Sequence, residues 1–363
     1  MTQRERQILN WIAEDPMISQ QQLAEKAGIT RSSVAVHISN LMKKGCISGK
    51  GYIVNTAPYV TVVGSANMDI GGYSAEKPIA QDSNPGRVLL SPGGVGRNIA
   101  HNMCLMGVNV KLITAFGEDV YAQQMQAVCG ELGIDISHAP VFSGERTSTY
   151  LFITDEHGDM VLAVNDMDIY RHLTPQVLAQ RRGVLEASQL LVVDTNLPEE
   201  CLCWLAENVR VPIFADPVST VKAPKLRRCL GRIHTLKPNR MEAELLSGVS
   251  ITDESSLHRA ADALLETGLH RVFISLGAGG VFAADRAGQR LHLPNPAVKP
   301  LNTTGCGDAF MAALVWAYLQ GTDLRGAARA GLAAASVAME HAGTVSPAMS
   351  EELLRRRMAQ EDR

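Results

Sequence analysis

Apolar residues recur at helical spacing three times within the first 45 positions. Ile8, Leu9 and Ile12 form one such face. Leu23, Ala24 and Ala27 form a second, opened by a Ser19/Gln22 capping-box pattern and closed by Gly28, a residue suited to a left-handed cap. Val34, Ile38 and Leu41 form a third, between the N-cap residue Thr30 and Gly45. A β-prone hairpin follows: Cys46-Ile47-Ser48, a Gly49-Lys50-Gly51 turn, then Tyr52-Ile53-Val54. Beyond residue 58 the pattern changes. Nearly continuous apolar runs at 59–63, 110–114, 190–193, 212–215, 233–236 and 271–276 predict strands covered on both faces. Helical segments such as 120–132 and 253–267 lie between them, so the alternation predicts a parallel sheet with right-handed crossovers. Residues 71–90 and 147–164 are strand-like without long helices. The second of these reads as a hairpin, 150–154 and 160–164, turning at Glu156-His157-Gly158-Asp159. Together they predict a small second sheet, a lid able to exclude water.

The order helix, helix, tight turn, helix, hairpin resembles the winged helix-turn-helix heads of small bacterial proteins, and QQQLAEKAGITRSSVAVHISNLMKKGCI carries the likeness. The resemblance implies a third helix in the DNA major groove, showing Arg31, Ser32, Ser33, Val36, His37 and Asn40 outward. Lys43, Lys44 and Lys50 would meet phosphates. The plainer alternative is a small helical cap used for dimerisation. Thr56-Ala57-Pro58 reads as a hinge. The expected organisation is therefore a head at 1–55, a linker at 56–58, a body at 59–350 and a polar tail at 351–363.

Charge agrees with this division. The 363-residue chain carries a net −3, yet residues 1–55 hold seven Lys and Arg against four Asp and Glu. Its composition, 46% hydrophobic and 20% charged, excludes collagen-like and disordered classes. The longest apolar run, 309–319, is well short of the roughly 20 residues of a membrane helix. The N-terminus lacks an apolar signal core, so a cytoplasmic location is expected. Seven scattered cysteines suit reduced thiols, and Cys201-Leu-Cys203 has the wrong spacing for a zinc or redox pair.

Five motifs carry candidate chemistry. Asn302-Thr303-Thr304-Gly305-Cys306-Gly307-Asp308-Ala309-Phe310 places small residues at a turn before an apolar helix, where unpaired amides make an anion site. Asp308 beside it is placed to accept a proton, or simply to cap the helix. Pro92-Gly93-Gly94-Val95-Gly96-Arg97-Asn98-Ile99-Ala100 is a glycine run leading into a helix. Gly64-Ser65-Ala66-Asn67-Met68-Asp69 ends the first body strand with groups that bind neighbouring hydroxyls or stabilise an Asx turn. Lys237-Pro238-Asn239-Arg240-Met241-Glu242 suits outer-shell magnesium binding, or a helix first turn. Ser275-Leu276-Gly277-Ala278-Gly279-Gly280-Val281 is a strand–glycine turn–strand; it is neither a complete dinucleotide fingerprint nor a Walker loop. Asp216 ends a further strand, facing the phosphate region or capping a turn.

Taken in their order along the chain, over 59–350, the motifs resemble those of the ribokinase (pfkB) carbohydrate and nucleoside kinases. The resemblance implies a ribokinase-like three-layer α/β/α sandwich with a small β-sheet lid, preceded by the winged head. In the family pattern D-T-x-G-A-G-D the last Asp is the general base, here Asp308, with the amides of Gly305, Cys306 and Gly307 holding the phosphoryl group. Asn302 replaces the first Asp and Cys306 a small residue, which puts a monovalent-cation (K+) site in question. Gly93, Gly94 and Asn98 would contact substrate hydroxyls, and Asp69, supported by Asn67, would grip those of a ribose. Asn239, Ser275, Gly277, Gly280 and Thr304 would bind ATP, and Asn239 with Glu242 would order Mg2+ through waters. Val95 stands where ribokinase has Lys, and GGVGRNIA is similar to the pseudouridine kinases. The expected reaction is transfer of the ATP γ-phosphate to the 5′-hydroxyl of such a nucleoside. Alternatives are a kinase of a free sugar of ribose or fructose type, or a DNA-binding regulator whose body senses a sugar or nucleoside. A homodimer is expected.

Overall fold

The structure is a computed structural model and describes residues 1–47 and 57–360. The head contains α1 (Gln3–Glu14), α2 (Gln20–Ala27) and α3 (Arg31–Lys43) around Ile8, Ile12, Leu23, Val34, Ile38 and Leu41. The caps read from the sequence are formed. Ser19 and Gln22 make a reciprocal capping box, Gly28 closes α2 at φ 63°, and the Thr30 hydroxyl accepts from the Ser33 amide. Most of the expected hairpin, Lys50 included, lies outside the described residues. The last turn of α3 rests on the body, where a Cβ at Gly183 would lie 1.8 Å from the Lys43 carbonyl oxygen.

The body strands are β1 (Val60–Val63), β2 (Asn67–Ser74), β3 (Gly86–Gly93), β4 (Val110–Ile113), β5 (Thr149–Thr154), β6 (Met160–Asp166), β7 (Leu191–Asp194), β8 (Ile213–Asp216), β9 (Thr235–Leu236), β10 (Arg271–Ser275), β11 (Val281–Asp285) and β12 (Arg290–Leu293). Its helices are α4 (Val95–Leu105), α5 (Val120–Glu131), α6 (Pro175–Ala179), α7 (Arg182–Ala187), α8 (Glu199–Asn208), α9 (Arg240–Ser247), α10 (Glu254–Glu266), α11 (Cys306–Leu319), α12 (Leu324–Met339) and α13 (Glu351–Gln360).

Eight strands form the main sheet in the order β12-β11-β10-β9-β8-β7-β1-β4. Alternation along the apolar strands feeds two cores. Val60, Val62 and Val192 pack with α4, α5, α11, α12 and α13, whereas Val63, Leu191 and Val193 pack with α6 to α10. The sheet is mixed rather than wholly parallel: β10–β11 and β11–β12 are antiparallel. The turn between Ser275 and Val281 is too short for the crossover that a parallel pair needs. Gly280 there adopts φ +85°, and a Cβ would meet the Leu293 carbonyl oxygen at 2.0 Å. Residues 351–360 of the polar C-terminal segment form α13, whose Leu354 is fully buried against the core.

The lid is a four-stranded sheet, β3-β2-β5-β6, formed by the two segments that broke the strand–helix rhythm. β2 and β3 return to the body at Asn67 and Gly93, so the lid hinges beside both glycine motifs.

Candidate active site

Gly64, directly after β1, approaches the first turn of α4 so closely that a Cβ would lie 3.1 Å from the Gly96 Cα. Asp194, at the end of β7, organises this corner: its Oδ2 accepts from the Ser65 amide (2.6 Å) and hydroxyl (2.9 Å). Oδ1 accepts from the Asn196 amide. Burial dominates and raises its pKa. Asp194 was missed because nothing local distinguishes a polar residue that ends an apolar strand.

The lid then supplies Asn67 and Asp69 on one face of β2. The Asn67 Nδ2 donates to Asp69 Oδ1 at 2.5 Å. Burial raises the Asp69 pKa to about 6, against the pull of Arg97 and Asn67. Gly93 is required here, because a Cβ would sit 2.2 Å from the Asp69 carboxylate. Gly94, at φ +96°, packs against the Ala66 backbone. These four expected substrate residues therefore form one cluster. Asn98 differs: its Nδ2 donates to Asp308 Oδ2 at 2.8 Å, and its Oδ1 accepts from Arg97. One N–H of its amide is thus given to the acid, out of the two that the nitrogen carries.

Asp308 lies in the first turn of α11 and is 9% exposed. Burial, then Asp216, raise its pKa to about 7, while Asn98 and Lys237 pull it down and Asp194 adds to the rise. Gly305 starts the helix at φ +83°, and a Cβ would meet the Thr344 carbonyl oxygen at 2.0 Å. The Cys306 amide that follows makes one long bond, to the Thr303 carbonyl (3.4 Å), and with the Gly307 amide, which lies in the first helical turn without an intrahelical carbonyl partner, forms a candidate anion cradle.

Sequence reading assigned no role to Lys237, although it stands in a quoted motif. Its Nζ pairs with Asp216 at 3.2 Å and would contact a Cβ at Gly307 at 3.1 Å, so the ammonium underlies the cradle. Burial alone would lower its pKa, but Asp216, Glu242 and Asp308 hold it above the ordinary value. Asp216 does cap its own turn, its Oδ1 accepting from the Val218 amide (2.8 Å), while its Oδ2 faces Lys237.

Next to the cradle lies a cavity of about 560 Å³. Ser275, Gly277, Gly280, Cys306 and Gly307 line it, together with Thr303, Asn295 and the apolar Leu332, Ala335 and Met339. Thr304 does not line it; its amide donates to Asn302 Oδ1. Asn302 also donates to the Ala342 carbonyl, so its amide ties two loops together. Asn239 borders the cavity only through its bridge to Ser275, and with Glu242 forms a reciprocal capping box on α9. Among the described residues, no group of three or more His, Cys, Asp or Glu is placed to hold a metal ion. The buried carboxylates of Asp216, Glu242 and Asp308 exceed the single ammonium between them. That charge balance fits a divalent ion carried in on phosphates and reached through water.

In the head, Arg31, Ser32, Ser33 and Lys43 are exposed. His37 is half-buried, and its Nδ1 has no hydrogen-bond partner among the described residues. Lys44 pairs with the buried Glu5 at 2.7 Å, so its charge is already partnered within the head.

A carbohydrate-kinase family model, pfkB, matches residues 57–351. The chain belongs to the pfkB family of carbohydrate kinases. A winged helix-turn-helix DNA-binding model matches residues 1–48 of the same chain. This pfkB kinase is 38% identical to the Escherichia coli uncharacterized sugar kinase YeiI over 355 residues, covering 97% of this chain and 98% of that one. It is also 38% identical to the Escherichia coli pseudouridine kinase over 293 residues, covering 80% and 94%. The carbohydrate kinase from Agrobacterium tumefaciens superposes with a TM-score of 0.74 at 29% identity, covering 84% and 97%. The ribokinase from Thermotoga maritima, at a TM-score of 0.73 and 24% identity over 84% and 100%, shares the fold. The pfkB kinase is therefore a sugar or nucleoside kinase with a ribokinase-like fold and a winged head. Among its described residues no helix is long and apolar enough to cross a membrane.

Proposed function

We propose that the protein transfers the γ-phosphate of ATP to the 5′-hydroxyl of pseudouridine or a closely related nucleoside, with Asp308 as general base. The observation that carries this reading is the junction of a buried carboxyl, poised near neutrality, with the open first turn of α11. As the acceptor oxygen attacks the γ-phosphorus, its proton passes to Asp308 and the bond to the ADP oxygen breaks. The Cys306 and Gly307 amides and the Lys237 ammonium meet the charge on the transferring group. Asp216 and Glu242 would hold, through water, a Mg2+ ion arriving with the nucleotide, which would supply charge neutralisation of the phosphates. Asn302 supplies an amide where a cation loop would use a carboxylate, so K+ activation is not part of this reading.

A nucleoside acceptor is favoured by the pseudouridine kinase relative and by the lid. Asp69 and Gly71 pair with Tyr150 and Phe152 across β2 and β5. The Phe152 and Tyr73 rings lie across Gly71, where a Cβ would contact each at 2.7 Å. The face that carries Asp69 is therefore aromatic, a surface on which a base stacks. ADP release measured with pseudouridine, uridine, inosine, ribose and fructose tests the assignment. Pseudouridine should give the highest kcat/KM, falling as pH drops through about 7 as Asp308 takes up a proton and more steeply below about 6 as Asp69 does. Preferred turnover of a free sugar would refute the nucleoside acceptor.

We also propose that the head binds DNA through the exposed start of α3, a reading supported by the family match. Arg31→Ala should weaken binding of the full chain to duplex DNA by about tenfold, equal to one good contact. Undiminished, salt-sensitive binding would move the interface elsewhere.

A further inference from the structure

Arg97 is 4% exposed within the first turn of α4, and among the described residues its guanidinium bonds no carboxylate directly. Its guanidinium is spread over four acceptors. Nη2 donates to the Pro92 carbonyl (2.7 Å) and to Asn98 Oδ1, and Nε donates to the Gly93 carbonyl (3.4 Å). Nη1 lies 3.2 Å from His101 Nδ1. Burial and Arg97 together hold His101 at a pKa of about 4, so the ring is neutral and accepts. Pro92 and Gly93 are the last residues of the lid strand β3. The arginine therefore joins the lid hinge to Asn98, and Asn98 in turn donates to Asp308.

An amide has one accepting and one donating end. If Asn98 were rotated by half a turn, its carbonyl would face the Asp308 carboxylate, acceptor against acceptor. We infer that Arg97 is a positioning residue for the base: by occupying the Asn98 oxygen it forces the amide N–H toward Asp308. The ionised form of the acid, the one able to take a proton, is the form an N–H donor stabilises. Because the same guanidinium holds the last two residues of β3, the lid hinge and the protonation state of the base share one contact. The groups facing Asp308 from the other elements are Asp216 of β8, Lys237 beyond β9 and Asp194 of β7. Arg97 and the Cys306 thiol also act on it through space. None of these donates a hydrogen bond to the Asp308 carboxylate; Asn98 does.

The inference rests on Asp308 serving as base, so its test reads the carboxyl itself. The pH titration of the protonated-carboxyl infrared band that disappears in Asp308→Asn reports Asp308 in the protein without substrate. Arg97→Lys keeps the positive charge but loses the fork that reaches both carbonyls and the amide. It should raise the Asp308 midpoint by about one unit. In an Asn98→Leu background the same substitution should leave the midpoint unchanged, because the pathway through the amide is already gone. Should Arg97→Lys not fold, Arg97→Gln goes through the same cycle, with the Asn98→Leu background removing the share due to charge alone. An equal shift in both backgrounds, or none in the native one, would overturn the inference. The acid limb of kcat/KM with ATP and pseudouridine should move with the infrared midpoint. A moved midpoint with an unmoved limb would keep Arg97's hold on Asp308 and remove the base assignment.

Discussion

Replacing Asp308 by Asn is expected to lower kcat by about 10³-fold or more, with ATP still bound. The side chains are nearly isosteric, and the carbonyl of the introduced amide can still accept from Asn98 as the carboxylate does at 2.8 Å. What disappears is the proton acceptor. The native carboxyl is held above its ordinary pKa by burial and by Asp216. Its charged form is thus disfavoured in the folded state relative to the unfolded one, and stability is lost as pH rises from the ordinary value through about 7. Asp308→Asn removes that charge, so its unfolding temperature at pH 8 should exceed the native one. A slow enzyme that is also more stable is the expected signature of a catalytic base, not of a structural cap. Near-native turnover, or a large loss of stability, would count against the assignment. ATP-binding calorimetry alongside the steady-state assay separates the possibilities.

The second large effect is expected at Lys237. Its side chain is 8% exposed and pairs with an Asp216 side chain that is 7% exposed. Lys237→Met fills the same space but leaves Asp216, Glu242 and Asp308 without their shared ammonium. Breaking one partner of a buried ion pair costs about 3–5 kcal/mol, because the remaining charge stays buried and unpaired. A further loss of about 10²-fold in kcat should follow, since the ammonium lies beneath the cradle that receives the transferring phosphoryl group. The acid limb should also move upward, because Lys237 lowers the Asp308 pKa in the native protein. Urea unfolding and a pH–rate profile measure these effects. A variant within about 1 kcal/mol and roughly a factor of five of the native enzyme would show that the pair is incidental, a stability threshold near that of ordinary surface substitutions.

What was legible in the sequence was local. The Ser19/Gln22 box, Gly28 and Thr30 specify helix ends through neighbours three or four residues away, and all are formed. The stretch around Gly305 and Asp308 was legible for the same reason: turn, cradle and acid lie within one helical turn. The lid was legible because two strand-like segments interrupt the helices. Contacts between distant segments were not. Asn98 and Asp308 are separated by 210 positions. No local pattern tells an amide aimed at a sugar from one aimed at an acid. Lys237 was hidden because its partners Asp216 and Asp308 come from distant segments. The cavity wall of Leu332, Ala335 and Met339 is chemically indistinguishable from ordinary core. The antiparallel edge at β11 and β12 was missed in the overall sheet reading, although Gly280 and its neighbours signal a turn too tight for a crossover. Helix α13 was hidden by its charged residues, which mask the single buried Leu354.

The central claim is that the first turn of α11 and the Asp308 carboxyl converge where a terminal phosphate meets an alcohol. A crystal structure of the protein with a non-hydrolysable ATP analogue and pseudouridine tests it most directly. The account predicts the γ-phosphate on the Cys306 and Gly307 amides, with an Asp308 carboxylate oxygen about 3 Å from the nucleoside 5′-oxygen. A 5′-oxygen out of reach of Asp308, with the γ-phosphate seated elsewhere, would contradict it.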